Sequence, residues 1–129
     1  MSEINQLEAW RAQEREVVAR LDAGAGPGVA RPEQIAGMSG LQMMEAMLRG
    51  DLPYAAIART LNFQIMEVSP GRALFQGTPL PEHRNPMGGI HGGWYATLLD
   101  SALGCAIHTT MPPGRGYTTA ELSVNLVKA

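Results

Sequence analysis

Residues 93–110 read GWYATLLDSALGCAIHTT, the longest apolar element of the chain. On a helical wheel Leu98, Leu99, Ala102 and Cys105 fall on one side and Ala96, Leu103 and Ile107 on the other. A helix that is apolar on every face is a buried one, so this stretch predicts a helix at the centre of the domain. Asp100 interrupts it, with Ala96, Leu103, Gly104 and Ile107 as wheel neighbours. Aspartate is a poor helix former away from caps, and a buried, unpaired carboxylate is costly unless protonated or partnered. Two gains offset such a cost: a tuned acid or base in a cleft, or a structural contact with an arginine or water at a subunit edge.

Working upstream, the loop PLPEHRNPMGGIHGG (79–93) delivers the chain into this helix. His91, Gly92 and Gly93 stand at the junction, where the first N–H groups of a helix have no intrahelical partner. Such donors, reinforced by the helix dipole, suit a carbonyl oxygen that becomes negative during acyl transfer. Glycine there also lets a bulky group approach the backbone. Two adjacent glycines are equally what a tight turn requires. Gly92 and Asp100 lie about 12 Å apart along one helix, whereas a reacting carbonyl must sit roughly 3 Å from both donor and attacking group. If the two cooperate, the start of one helix faces Asp100 of an antiparallel partner, giving a dimer with two shared sites.

Further out the period changes. Residues 62–69 (NFQIMEVS) and 72–78 (RALFQGT) alternate around Pro70-Gly71 and predict a β-hairpin. Residues 117–127 (YTTAELSVNLV) alternate strictly and predict a third strand. Residues 3–22 carry Leu7, Trp10, Val17, Val18 and Leu21 at helical spacing among charges. The Gly/Pro-rich stretch 23–34 then breaks that helix. A second helix starts at Ser39 as N-cap, presents Leu41, Met44, Met47 and Leu48, and stops at Gly50. Residues 53–61 offer a helical turn beginning at Pro53.

Composition narrows the function. A net charge of −2 carries no basic face for nucleic acid. No apolar run reaches the roughly 20 residues that span a bilayer, and the charged N-terminus lacks a signal-peptide core. The single cysteine, Cys105, allows no intrachain disulfide and fits a reducing compartment, so a cytoplasmic location is expected. Cys105 reads as core filler, His83 and His108 as surface or loop residues without metal-ligand spacing, and Met38, Met43, Met44 and Met47 as packing. No GxSxG elbow or P-loop is present.

The run HRNPMGGIHGGWYATLLDSALGCA, followed by GYTTAELSVNLV, resembles the signature of hotdog-fold acyl-CoA thioesterases of the phenylacetate-degradation (PaaI-like) type, over roughly residues 40–129. That resemblance implies an α+β fold with an antiparallel sheet wrapped around the central helix. Residues 1–40 form an N-terminal helical extension and linker, and residues 41–129 the hotdog domain. It also implies hydrolysis of an aryl- or medium-chain acyl-CoA to the free acid and CoA by a homodimer or homotetramer, with no metal or cofactor beyond the CoA of the substrate.

By position, the resemblance makes Asp100 the general base or nucleophile and the Gly92 N–H the carbonyl donor. His91 supports that loop, Asn85 holds water or substrate, and Thr119 touches the attacking water. Gly93, Thr118 and Gly104 are expected at the substrate. Gly104 departs from relatives that place a Ser or Thr there, which shifts reliance to Thr119. A complete sheet of this kind has five or more strands and only three are visible before Ala129. The sheet is therefore expected to be incomplete at its C-terminus, with residues 118–127 as an open edge. The alternative function is a non-catalytic acyl-CoA-binding or assembly module on the same fold. A hotdog dehydratase would need a His–Asp arrangement not seen here.

Overall fold

Ser2 accepts a hydrogen bond from the Asn5 N–H and opens α1 (Glu3–Ala23) in the computed structural model, which describes residues 2–128. The charged helix expected at the N-terminus is present, and its apolar spacing resolves into two parts. Val17 and Leu21 are buried, while Ile4, Leu7 and Trp10 stay exposed. The end of the Gly/Pro-rich stretch, expected as loop, instead forms a one-turn helix α2 (Pro32–Ile35) that starts at its proline. Ser39 then caps α3 (Gly40–Arg49) through a capping box with Gln42. Gly50 ends α3 in the left-handed region, at φ 87°, where a side chain would be strained.

The helical turn expected to begin at Pro53 begins later, as α4 (Ala56–Thr60). Tyr54 is instead held in a backbone bridge to the loop that follows α1, giving to the Gly26 carbonyl and receiving from the Gly28 N–H. Its hydroxyl donates to Asp22 Oδ1 at 2.7 Å, and Arg59 donates to the same oxygen at 2.8 Å. The end of α1 is thereby tied to α4.

The hairpin forms where alternation placed it, as β1 (Phe63–Ser69) and β2 (Arg72–Gly77), antiparallel from Phe63↔Gly77 to Ser69↔Arg72. An irregularity between Ile65 and Glu67 turns Met66 inward, so four consecutive residues of β1, Phe63 to Met66, are buried. A strand buried on both faces needs cover on both sides. α1, α3 and α4 pack against β1, and α5 (Gly92–His108) packs against both strands. The core joins Val17 and Leu21 of α1 to Tyr54, Ala58, Phe63, Met66 and Trp94. Burial of each large apolar side chain there contributes about 1.5–3 kcal/mol.

Two expectations are corrected. Residues 117–127 form no strand: they run, mostly exposed, back along α5. Alternation specifies a pleat but not a partner, and here no neighbouring backbone lies in register to form the ladder. The sheet among the described residues therefore has two strands, and it does not wrap the helix. Nor is α5 buried all round. Trp94 and Gly104 are buried, but Leu99, Leu103 and Ile107, at successive helical turns, are 41 %, 57 % and 48 % exposed. Residues 118–127, expected as an open strand edge, are described and form no strand, so no such edge is present there. Among those residues no helix is long and apolar enough to cross a membrane.

The Tyr54 hydrogen bond is the main reason the Asp22 carboxyl is held below its ordinary value of 3.8, with Arg59 adding to it against partial burial. A depressed carboxylate contributes stability above its unfolded value and loses it as pH falls. Tyr54→Phe should therefore cost about 1 kcal/mol at neutral pH. Urea unfolding of both proteins should show the difference narrowing once the pH drops below 3.8.

Candidate functional site

The first turn of α5 is built by its own cap. His91 has extended backbone, and its Nδ1 accepts from the Gly93 N–H at 2.9 Å, a role more often taken by Ser, Thr, Asp or Asn. That bond fixes the proton of the neutral ring on Nε2. It also occupies one of the two glycine donors. The Gly92 N–H has no acceptor among the described residues and is exposed at the positive end of a 17-residue helix.

His83 holds this entrance in place. Expected at the surface or in a loop, it lies in the loop's 3-10 turn Pro81–His83, but buried at 7 % exposure. Its Nδ1 accepts from the Leu80 N–H at 2.9 Å, so Nε2 carries the proton and donates to the Thr60 carbonyl at 2.8 Å. The His83 carbonyl in turn accepts from the His91 N–H at 2.9 Å. An imidazole whose two nitrogens match one donor and one acceptor is satisfied without leaving its neutral form. Sequence gave no hint of this, because both partners are backbone groups of other segments.

Asn85 is turned inward. Its side-chain oxygen accepts from the N–H groups of Met87 and Gly89 at 3.0 and 3.1 Å, closing the turn across Pro86-Met87-Gly88. This Asx arrangement is what Asn supplies in loops. Arg84 closes the same turn from outside by donating to the Gly88 carbonyl. A cavity of about 340 Å³ lies between this loop and α5, lined by His83, Arg84, His91, Gly93 and Thr97 among others. The larger groove, about 690 Å³ between α1 and the hairpin, contains none of the expected site residues.

Two turns further along α5, Asp100 is half-buried, and Thr119 donates its hydroxyl hydrogen bond to Asp100 Oδ1 at 2.9 Å. Of the two threonines in question it is Thr119, not Thr118, that meets the carboxylate. The C-terminal segment thus runs antiparallel to the helix: Tyr117 lies at Gly104, Thr119 at Asp100 and the Leu126 side chain beside Gly92. Gly104 is buried beneath Tyr117. Gly93 faces the His91 ring, which a side chain at that position would strike.

Asp100, Thr119 and Gly104 therefore form one group on α5, and His91, Gly92, Gly93 and Asn85 another at its start. Within one chain the helix itself keeps these groups about 12 Å apart. Cys105 lies beside the first group. Burial chiefly, and then the charge of Asp100, push its thiol up from 9.0 to about 11. The thiol form persists at neutral pH, which excludes a thiolate nucleophile at this position.

Residues 87–129 match the family model described as the thioesterase superfamily, a stretch that includes α5, Asp100 and the whole C-terminal segment. No curated protein matches the chain, and no solved structure does.

Because the folded chain holds the Cys105 proton more tightly than the unfolded chain, this residue contributes stability that is present below pH 9 and lost toward pH 11. The urea midpoint should fall across that interval, and less steeply in Cys105→Ala. Alkylation of the native thiol near neutral pH should be slow beside that of the urea-unfolded chain.

Proposed function

We propose that the chain is an acyl-CoA thioesterase of the phenylacetate-degradation type, acting on aryl- or medium-chain acyl groups at sites shared between two copies. The observation that carries this reading is the Asp100–Thr119 hydrogen bond, on a helix whose open Gly92 N–H points out of its N-terminus, within a stretch that matches the thioesterase superfamily. A carboxylate fixed by a hydroxyl and an exposed amide at a helix start are the two groups that thioester hydrolysis needs: one to act on water, one to bear negative charge.

In this mechanism the thioester carbonyl rests on the Gly92 N–H of one copy, at the positive end of α5. Asp100 of the other copy takes a proton from water as its oxygen attacks the carbonyl carbon. The tetrahedral oxyanion collapses, the carbon–sulfur bond breaks, and CoA leaves as the thiolate; the acid is the other product. Direct attack by Asp100, with an acyl anhydride that water then opens, uses the same groups. No metal or redox group takes part. The uncovered Leu99, Leu103 and Ile107 give a second copy apolar surface against which to dock, and a dimer or a pair of dimers fits this reading.

Thiol release from a panel of acyl-CoAs tests the chemistry. Asp100→Asn keeps the shape and removes the base, so turnover should fall by roughly 10² or more. Equal inactivity of two folded proteins would sink the hydrolase reading, and CoA binding that survived would leave a binding module in its place. Sharing has its own test. Gly92→Pro removes the amide donor, and proline is tolerated in the first turn of a helix. Mixed with Asp100→Asn after unfolding and reassembly, it should restore activity that neither variant has alone. No restoration would place both groups outside a common site.

A further inference from the structure

Tyr117 is absent from the residues expected at the site, yet it lies against the helix one turn from Asp100. A methyl group on Gly104 would overlap the Tyr117 hydroxyl and lie 2.8 and 2.9 Å from ring carbons Cζ and Cε2. Position 104 is glycine because the phenol occupies the space a side chain would take. The ring also rests beside His108, with centroids 5.9 Å apart.

Tyr117 and Thr119, two residues apart, reach the same helix. Both meet α5, the first at Gly104 and the second at Asp100. On the helix, Asp100 and Gly104 stand four residues apart on one face. The two hydroxyls thus meet one face at successive turns, and Thr119 takes Asp100 Oδ1.

We propose that Tyr117 is a positioning residue for hydrolysis: its hydroxyl holds, from the Gly104 side, the water that Asp100 activates. One helical turn separates the two levels, about 5.4 Å. In the proposed arrangement one water accepts from the Tyr117 hydroxyl and donates to Asp100. Thr119 fixes one carboxylate oxygen and leaves the other for the water. Burial first, then Cys105 and Asp100, push the phenol above its ordinary 10.0, so the hydroxyl keeps the proton it would donate. This inference rests on the hydrolase reading above and adds the group that orients the nucleophile.

The test compares Tyr117→Phe with the native chain and Asp100→Asn in steady-state thiol release, with thermal unfolding of each. Phenylalanine keeps the ring over Gly104 and removes only the hydroxyl. A fall in kcat of about tenfold is expected, the size of one hydrogen bond, with KM and Tm unchanged. Gly104→Ala, which leaves residue 117 a tyrosine but pushes its phenol off the helix, should lower kcat in the same sense and separates loss of the hydroxyl's position from loss of the residue. If Tyr117→Phe keeps native kcat while Asp100→Asn is dead, the water role is wrong and the hydrolase reading survives. A raised KM with unchanged kcat would make Tyr117 a wall of the acyl pocket and likewise overturn the proposal. No thiol release from the native chain overturns both.

Discussion

Trp94 fixes the position on which the site depends. It stands in the first turn of α5, is buried at 6 % exposure, and donates its indole N–H to the Leu61 carbonyl at 2.6 Å. Its ring meets Tyr95 edge-on at 5.4 Å and joins the core beside Phe63 and Met66. A buried indole must satisfy its one donor, so the helix can sit against β1 in few ways. The three residues before Trp94 are His91, Gly92 and Gly93. Anchoring this side chain therefore anchors the helix N-terminus, and the open amide inherits its place from the packing of a tryptophan.

The loop leading to that terminus is held almost entirely by backbone acceptors and donors. His83 bridges Thr60 and Leu80 through its ring and His91 through its carbonyl, and Asn85 folds the following turn onto itself. Such a loop has few soft degrees of freedom, so the start of α5 is held in one place. The opposite end of the site is held more lightly. Residues 117–127 pair with no strand and touch α5 through side chains, so the threonine and tyrosine hydroxyls are placed by packing on a helix rather than by a sheet ladder.

α5 is apolar on all sides in sequence but covered on one in the chain. The exposed Leu99, Leu103 and Ile107 continue the apolar character of the buried face. An eight-residue separation on a rigid helix also keeps Gly92 from Asp100. Uncovered surface and divided chemistry occur on the same element.

Local signals settled local structure. Ser39 and Gln42 capped α3, Gly50 stopped it, and alternation on either side of Pro70-Gly71 made the hairpin, because each acts within a few residues and needs no distant partner. The helix around Asp100 and the donors at its start were legible for the same reason. Decisions that join distant segments were not. Alternation over 117–127 could not say whether a strand lay beside it, and an apolar wheel could not say which faces of α5 would be covered. The burial of His83, the choice of Thr119 over Thr118, and the tyrosine lying on Gly104 each depend on where another part of the chain comes to rest. Sequence alone determined which helix carries Asp100 and which residues open it. The tertiary structure decided which residues meet, since hydrogen bonds and steric exclusion act over a few ångströms whatever the distance along the chain.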